Sequence, residues 1–375
     1  MKPLKILHVF RAPVGGLFRH VLDLCREQTV RGHQVGIIAD RRTGGDNAEK
    51  MLGELAGSLP LGVSRYPMRR HINPGDFFAV AHVMRRIAET QADVVHGHGA
   101  KGGAYARLAL NTTGKVRAYT PHGGSLLFGH DTLAGAFYLA TERILMLRGN
   151  LFLFESGYSE AIFRSKIGNP RGLVRVVHNG VTKAEFAPIV PREDATDLVF
   201  LGELRGLVKG IDVLIDSVAI LHRQGRNVTC TIVGSGADRE ALVAQVERLG
   251  LSSAITFRPA MKGHVALTFG RIMVAPSRYE SLPYVVLETA AGAKPLITTN
   301  VGGVPEIYGP MSDRLVPPGD APALAEAIAK ALDDPAGTAE LARRLHDRVA
   351  AGFSAETMVD GVLAGYQAAL EAGRR

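Results

Sequence analysis

Two glutamates, Glu280 and Glu288, stand eight positions apart in Ser277-Arg278-Tyr279-Glu280-Ser281-Leu282-Pro283-Tyr284-Val285-Val286-Leu287-Glu288. The short apolar run before them, residues 271–276, reads as a buried parallel strand, and residues 285–291 read as a packed helix. Glu280 then sits on a strand-to-helix loop, and Glu288 lies about two turns on at 3.6 residues per turn. Between them, residues 281–284 are expected to present backbone N–H groups at a helix N-terminus, where a phosphate is favoured. One loop could thus hold a sugar hydroxyl, a diphosphate and a ribose. Without its context the same pair would cap a helix and lie on its solvated face.

A second stretch with chemistry is Gly202-Glu203-Leu204-Arg205-Gly206-Leu207-Val208-Lys209-Gly210. A lysine and an arginine on a loop at a strand's carboxyl end can neutralise a nucleotide diphosphate. Residues i and i+2 of an extended loop point the same way. No Asp-x-Asp follows a strand, and a diphosphate held through Mg²⁺ or Mn²⁺ needs such oxygen ligands. The expectation is therefore that protein cations hold the diphosphate and that no metal takes part. Gly234-Ser235-Gly236 has Arg239 where a dinucleotide fingerprint needs a third glycine, which excludes NAD.

In the first half, Gly15-Gly16 follows the first strand, where backbone must come close to something. His122 stands at a strand's carboxyl end before Gly123-Gly124, the position of an active-site residue in an open α/β sheet. His96 and His98 lie two apart on a strand with no third ligand nearby, and they read as strand-end packing.

The run from Ser277 to Gly302-Gly303-Val304-Pro305-Glu306 closely resembles the donor-site signature of the retaining family-4 glycosyltransferases, also called glycosyl transferases group 1. The resemblance extends over nearly the whole chain, through Gly15-Gly16, Gly32-His33, the His122 loop, Asn179-Gly180 and Lys209-Gly210. Its C-terminal motifs are specific and its N-terminal ones generic. It implies the α/β GT-B fold: two Rossmann-like domains facing across a cleft, with a C-terminal helix crossing back to the first. It also implies that Glu280 contacts the donor sugar, that Glu288 holds the nucleotide ribose and that His122 lines the sugar pocket. Lys209 would stabilise the leaving diphosphate, so that Glu280, His122 and Lys209 form the catalytic group. Gly15, Gly16, Arg205, Ser281, Leu282 and Pro283 complete the donor site. The family usually carries an arginine directly after the first glycine of the 202–210 loop. Glu203 stands there instead, and Arg205 is expected to substitute.

The elements that must position these residues follow a βα rhythm that starts at residue 4 and restarts at residue 197. Residues 40–46 and 65–74 read as basic loops, 185–196 as a linker and 202–210 as a loop. The domain expectation is an acceptor-side domain at 1–187, a nucleotide-sugar domain at 188–354 and a crossover helix at 355–375. At 375 residues the chain can bury two cores. Its net charge of +8 is uneven: residues 1–187 hold about 25 Lys+Arg against about 14 Asp+Glu, roughly +11. A basic half suits an anionic acceptor or an anionic membrane surface, while no nucleic-acid module appears. Cys25 and Cys230 are far apart and read as buried free thiols in a reducing cytosol. With no signal-peptide pattern and no apolar run of 18 residues, the expected location is cytoplasmic, with peripheral contact at the inner face of the membrane.

The function so implied is transfer of a sugar from a UDP- or GDP-sugar to a glycan or lipid-linked hydroxyl acceptor in bacterial surface polysaccharide or glycolipid assembly. The competing readings are a GT-B-fold nucleotide-sugar epimerase and a degenerate module that holds nucleotide without catalysis. The Glu203 departure favours the last.

Overall fold

The computed structural model describes residues 2–110 and 114–373. The chain divides into two compact units, one of residues 1–179 with 355–375 and one of residues 180–354.

In the first unit β1 (Lys5–Phe10), α1 (Gly15–Val30), β2 (Gln34–Asp40), α2 (Gly45–Ala56) and β3 (Val63–Tyr66) open the chain. They are followed by α3 (Gly75–Thr90), β4 (Val94–His98), α4 (Gly99–Leu108), β5 (Val116–Thr120) and α5 (Leu133–Met146). Then come β6 (Leu151–Phe154), α6 (Gly157–Lys166) and β7 (Leu173–Val176). The seven strands form one parallel sheet in the order β3-β2-β1-β4-β5-β6-β7. β1, β4, β5 and β6 are almost wholly buried, as near-continuous Val, Ile, Leu and Phe runs require when helices cover both faces. Order reverses at β1, where a crevice forms outside the strands' carboxyl ends. His98 and the His122 loop lie at that end.

The second unit runs β8 (Thr196–Leu201), α7 (Gly206–Lys209), α8 (Ile211–Arg223), β9 (Cys230–Val233), α9 (Arg239–Arg248) and β10 (Ile255–Arg258). It continues with α10 (Gly263–Leu267), β11 (Gly270–Ala275), α11 (Tyr284–Ala291), β12 (Leu296–Thr298) and α12 (Val304–Tyr308). α13 (Ala321–Asp333) and α14 (Pro335–Gly352) close it. Its five parallel strands are ordered β10-β9-β8-β11-β12. Asp320 and Asp334 cap α13 and α14 by accepting from the Ala323 and Gly337 amides, which satisfies donors a helix start leaves open. The last helix, α15 (Ala355–Ala372), belongs to the first unit, where Met358, Val359, Val362, Leu363 and Tyr366 pack with Leu151 and Leu153 of β6.

Three local expectations fail for identifiable reasons. The basic loops expected at 40–46 and 65–74 are shortened by regular structure, since Gly45 and Asp46 open α2 and Arg65 and Tyr66 end the edge strand β3. Gly44 and Gly45 (φ 94° and 55°) make the turn that starts α2, and Arg65 of β3 is tied to the Asp40 carbonyl at 2.6 and 2.9 Å. The unit boundary falls after Asn179 rather than at 188, because the Val181 amide donates to the Phe353 carbonyl and Val181 enters the second core. The supposed linker likewise packs there: Ile189 is buried against Gly292.

Candidate active site

The loop between β11 and α11 is fixed from two sides. Arg278 binds Asp212 of α8 with both carboxylate oxygens engaged, at 2.8 and 2.6 Å, and its amide donates to the Val208 carbonyl. On the other side the Gly303 amide donates to the Ser281 carbonyl at 2.7 Å. Gly302 (φ 56°) lies so close that a Cβ would fall 1.8 Å from the Glu280 carbonyl oxygen. Only glycine fits there, which is the physical content of the Gly-Gly pair that ends the motif.

So held, Glu280 turns its carboxylate toward α7. Lys209 Nζ donates to Glu280 Oε1 at 2.7 Å, and Ser277 Oγ donates to the same oxygen at 2.7 Å. The Lys209 and Glu280 side chains are 26% and 13% exposed, so the pair is open to a ligand yet half withdrawn from water. Gly210 (φ 68°) lets the chain turn from α7 into α8 against Pro276, whose carbonyl oxygen a Cβ would meet at 1.9 Å. The strand end, Lys209 and the Glu280 loop are therefore built as one piece.

Arg205 lies one helical turn before Lys209, whose amide donates to the Arg205 carbonyl at 2.8 Å. Residues 206–209 form a helical turn, not an extended loop, and the Arg205 guanidinium lies 3.9 Å from Glu203 with both side chains more than half exposed. Leu282 is buried in the core with Val286 and Leu287, leaving its backbone as the part that can meet a ligand. Pro283 precedes the first residue of α11 and Glu288 lies on that helix, its Oε2 facing Gly263 at the start of α10. A Cβ on Gly263 would come within 2.8 Å of that oxygen. Gly234 and Gly236 carry the 202–205 loop on their bare Cα atoms, with added Cβ atoms 1.9 Å from the Gly202 oxygen and 2.4 Å from the Leu204 oxygen. Their task is packing.

In the first unit, Gly15 (φ 62°) and Gly16 form the opening of α1 rather than a turn ahead of it. His122 has φ 50°, in the left-handed region, followed by Gly123 at 75° and Gly124 at 27°. A non-glycine residue held there costs of order 1–3 kcal/mol and tends to mark a functional site. Its ring faces inward, with Nε2 3.1 Å from His98 Nδ1. The reading that His96 and His98 lack a third partner is overturned. His8 on β1, paired with His96 across the sheet, joins them in one group, and His20, His98 and His122 form another. Within each group the ring nitrogens lie within 4.8 Å of one another. Strand neighbours far apart in sequence brought them together, and no local spacing could have signalled it. Burial depresses all of these imidazoles, His8 to about 4 and His122 to about 3.

Two family models match the chain, Glycosyltransferase Family 4 over residues 14–185 and Glycosyl transferases group 1 over residues 195–334. The chain belongs to the group 1, family 4 glycosyltransferases. Alpha-D-kanosaminyltransferase of Streptomyces kanamyceticus is 31% identical over 157 residues, which is 41% of this chain and 40% of that enzyme. The chain thus spans about two-fifths of that relative. D-inositol 3-phosphate glycosyltransferase of Streptomyces scabiei is 26% identical over 86% of this chain and 79% of its own length. Among solved structures, the Anabaena protein HepE in complex with UDP-glucose superposes with a TM-score of 0.81 at 19% identity, covering 97% of this chain and 100% of that one. At that identity the likeness is one of fold, and the fold is GT-B. Glu280, Lys209 and the glycine-backed loop fall inside the segment matched by the group 1 model, and His122 inside the family 4 segment.

Proposed function

We propose that this family-4 member is a retaining glycosyltransferase that moves a sugar from a UDP- or GDP-sugar to a hydroxyl acceptor without a metal ion. The observation that carries the reading is the Lys209–Glu280 pair at 2.7 Å, held on a loop that glycine alone can back. When donor enters, its diphosphate competes for the Lys209 ammonium and Glu280 is released to a sugar hydroxyl. The sugar–phosphate C–O bond then breaks with its electron pair passing to the β-phosphate, where Lys209 meets the growing charge. The acceptor oxygen bonds to the same face of the sugar and its proton passes to the leaving phosphate. Catalysis of this kind is mainly positioning and electrostatic stabilisation. Glu288 holds the ribose and the backbone of 281–283 the diphosphate, and in the first unit His122, Gly15 and Gly16 are the residues available to a sugar ligand. The half-exposed Arg205, beside Glu203 where the family arginine would stand, supports the second reading, a nucleotide-binding module, and an epimerase is separated from both by incubating donor alone.

The acceptor in this reading is an anionic or lipid-linked glycan of surface polysaccharide or glycolipid assembly. The uneven charge supports it, as does α5, which with its C-cap Leu147 leaves Leu133, Phe137, Ile144 and Leu147 exposed in one stripe. Exposed Arg143 and Arg148 flank that stripe, while Glu142 of the same helix is buried against Arg107 at 2.7 Å. A basic amphipathic face of this kind suits an anionic bilayer surface, and among the described residues no helix is long and apolar enough to cross a membrane.

The test is a thermal-shift panel of UDP, GDP and ADP and their sugars, without and with EDTA. A ligand at 100 times its Kd adds about 2.7 kcal/mol to the state that binds it. Stabilisation by one nucleotide and its sugar, unchanged by EDTA, is expected. No shift with any of them would refute the donor assignment.

A further inference from the structure

The five clustered histidines are connected in a definite way. His8 Nε2 lies 2.9 Å from Gln28 Oε1, His8 Nδ1 lies 2.9 Å from His98 Nε2, and His98 Nδ1 lies 3.1 Å from His122 Nε2. An amide oxygen only accepts, so His8 carries its proton on Nε2. A neutral imidazole has one N–H, so His8 Nδ1 accepts from His98 Nε2, and His98 Nδ1 in turn accepts from His122 Nε2. His122 is left with Nδ1 as its acceptor. Which way round the Gln28 amide lies sets the polarity of the entire chain. In this structure its oxygen faces His8 and its buried nitrogen makes no hydrogen bond among the described residues. Tyr366 meets His96 Nδ1 at 2.7 Å, and His96 Nε2 meets Thr120 Oγ1 at 2.9 Å.

We propose that His98 and His8 are positioning residues that hold the half-buried His122 neutral and in its Nε2–H tautomer, presenting Nδ1 as an acceptor to a hydroxyl of the bound ligand. The titratable groups facing this chain are His20, His96 and Tyr366. His96 lies tilted against His98 with centroids 3.9 Å apart, and His20 meets His122 edge-on at 4.7 Å. Burial and mutual repulsion hold His98 well below the usual imidazole range, so none of the links gains a proton near neutral pH. The same rings could be read as a metal site. However, His98 spends both nitrogens on other histidines, whereas a ligating imidazole gives one nitrogen to the metal.

The tautomer does not depend on the transferase reading, although the hydroxyl it serves does. The experiment is long-range ¹H–¹⁵N correlation of the histidine rings in the full chain between pH 5.5 and 8, with His122→Gln to assign the signal. His122 is expected as Nε2–H throughout. His98→Leu should release it to a mixture of tautomers. His98→Gln should preserve it, because the amide oxygen can take the place of Nδ1 and the amide nitrogen that of Nε2. Should His98→Leu not fold, Gln28→Met breaks the chain at its far end and should have the same effect. With UDP-glucose as probe, kcat/KM should fall by about tenfold in His98→Leu and by less than about threefold in His98→Gln, the worth of one neutral hydrogen bond. An Nδ1–H tautomer, titration near pH 6.5, or an unchanged tautomer in both chain-breaking variants would overturn the proposal. So would one equivalent of Zn²⁺ binding with loss of these signals. No turnover in any protein, with the tautomers as expected, would uphold the relay and count against the transferase reading.

Discussion

Replacing Lys209 by methionine separates what this side chain does for folding from what it does for chemistry. Methionine keeps most of the apolar stem and removes the charge. In the free protein the loss is one hydrogen-bonded ion pair, Lys209 Nζ to Glu280 Oε1 at 2.7 Å. The lysine side chain is 26% exposed and Glu280 keeps its bond from Ser277, so after solvent screening the pair is worth about 1 kcal/mol or less. In the reaction the same ammonium faces a full leaving diphosphate, and loss of one such stabiliser typically costs about 2.7–4 kcal/mol, a fall of roughly 10²–10³ in kcat. The assay is nucleotide release from the donor that the thermal-shift panel selects, run beside urea unfolding of both proteins. The expected result is a fall of at least about 10² in kcat with a stability change of about 1 kcal/mol or less. A kcat within about threefold of wild type, which corresponds to less than 1 kcal/mol of barrier, would refute the placement of Lys209 at the leaving group. A large loss of stability would show that the ion pair is structural.

The two glutamates should part ways. Glu288→Ala is expected to weaken bare nucleotide by about 1.5–3 kcal/mol, the worth of a hydrogen bond to a charged group, while Glu280→Ala binds bare nucleotide nearly as before and loses turnover. Titration calorimetry with the nucleotide that gives an unchanged Kd for Glu288→Ala would remove Glu288 from the ribose. The histidine cluster makes the first unit acid-sensitive with a definite sign. His8 titrates at about 4 when folded against 6.5, so between those values the unfolded chain binds more protons, and stability present above pH 6.5 is lost as pH falls toward 4. For His8 alone this amounts to about 3 kcal/mol; urea melts from pH 7.5 to 4.5 should show the loss reduced in His8→Gln, and an equal loss in both proteins would count against it. Flotation with phosphatidylglycerol vesicles tests the membrane-facing reading. Phe137→Ser with Ile144→Ser and a variant with Arg41, Arg42, Arg69 and Arg70 changed to Ser should each bind less than wild type, and equal, salt-insensitive flotation of all three would dismiss it.

Most of the alternation of strand and helix follows from local sequence, because a strand buried on both faces must be apolar throughout and a covering helix only along one stripe. The same holds for the chemical loops. Glu280 and Lys209 were identifiable because glycines and proline mark the carboxyl ends of strands, where an open α/β sheet exposes side chains to a ligand. What local sequence could not carry was the company each residue keeps. Lys209 and Glu280 meet across 71 positions because β8 and β11 are neighbours in the second sheet. Residues 206–209, expected as an extended loop, form one turn of helix, and the Arg205 guanidinium lies beside Glu203. The ends of the basic stretches 40–46 and 65–74 fall in α2 and β3, because an exposed helix and an edge strand need few apolar residues. The His8–His98–His122 chain crosses from β1 to β4 to the β5 exit. Sheet order alone set that register, and with it burial turned scattered polar residues into one buried, directional network.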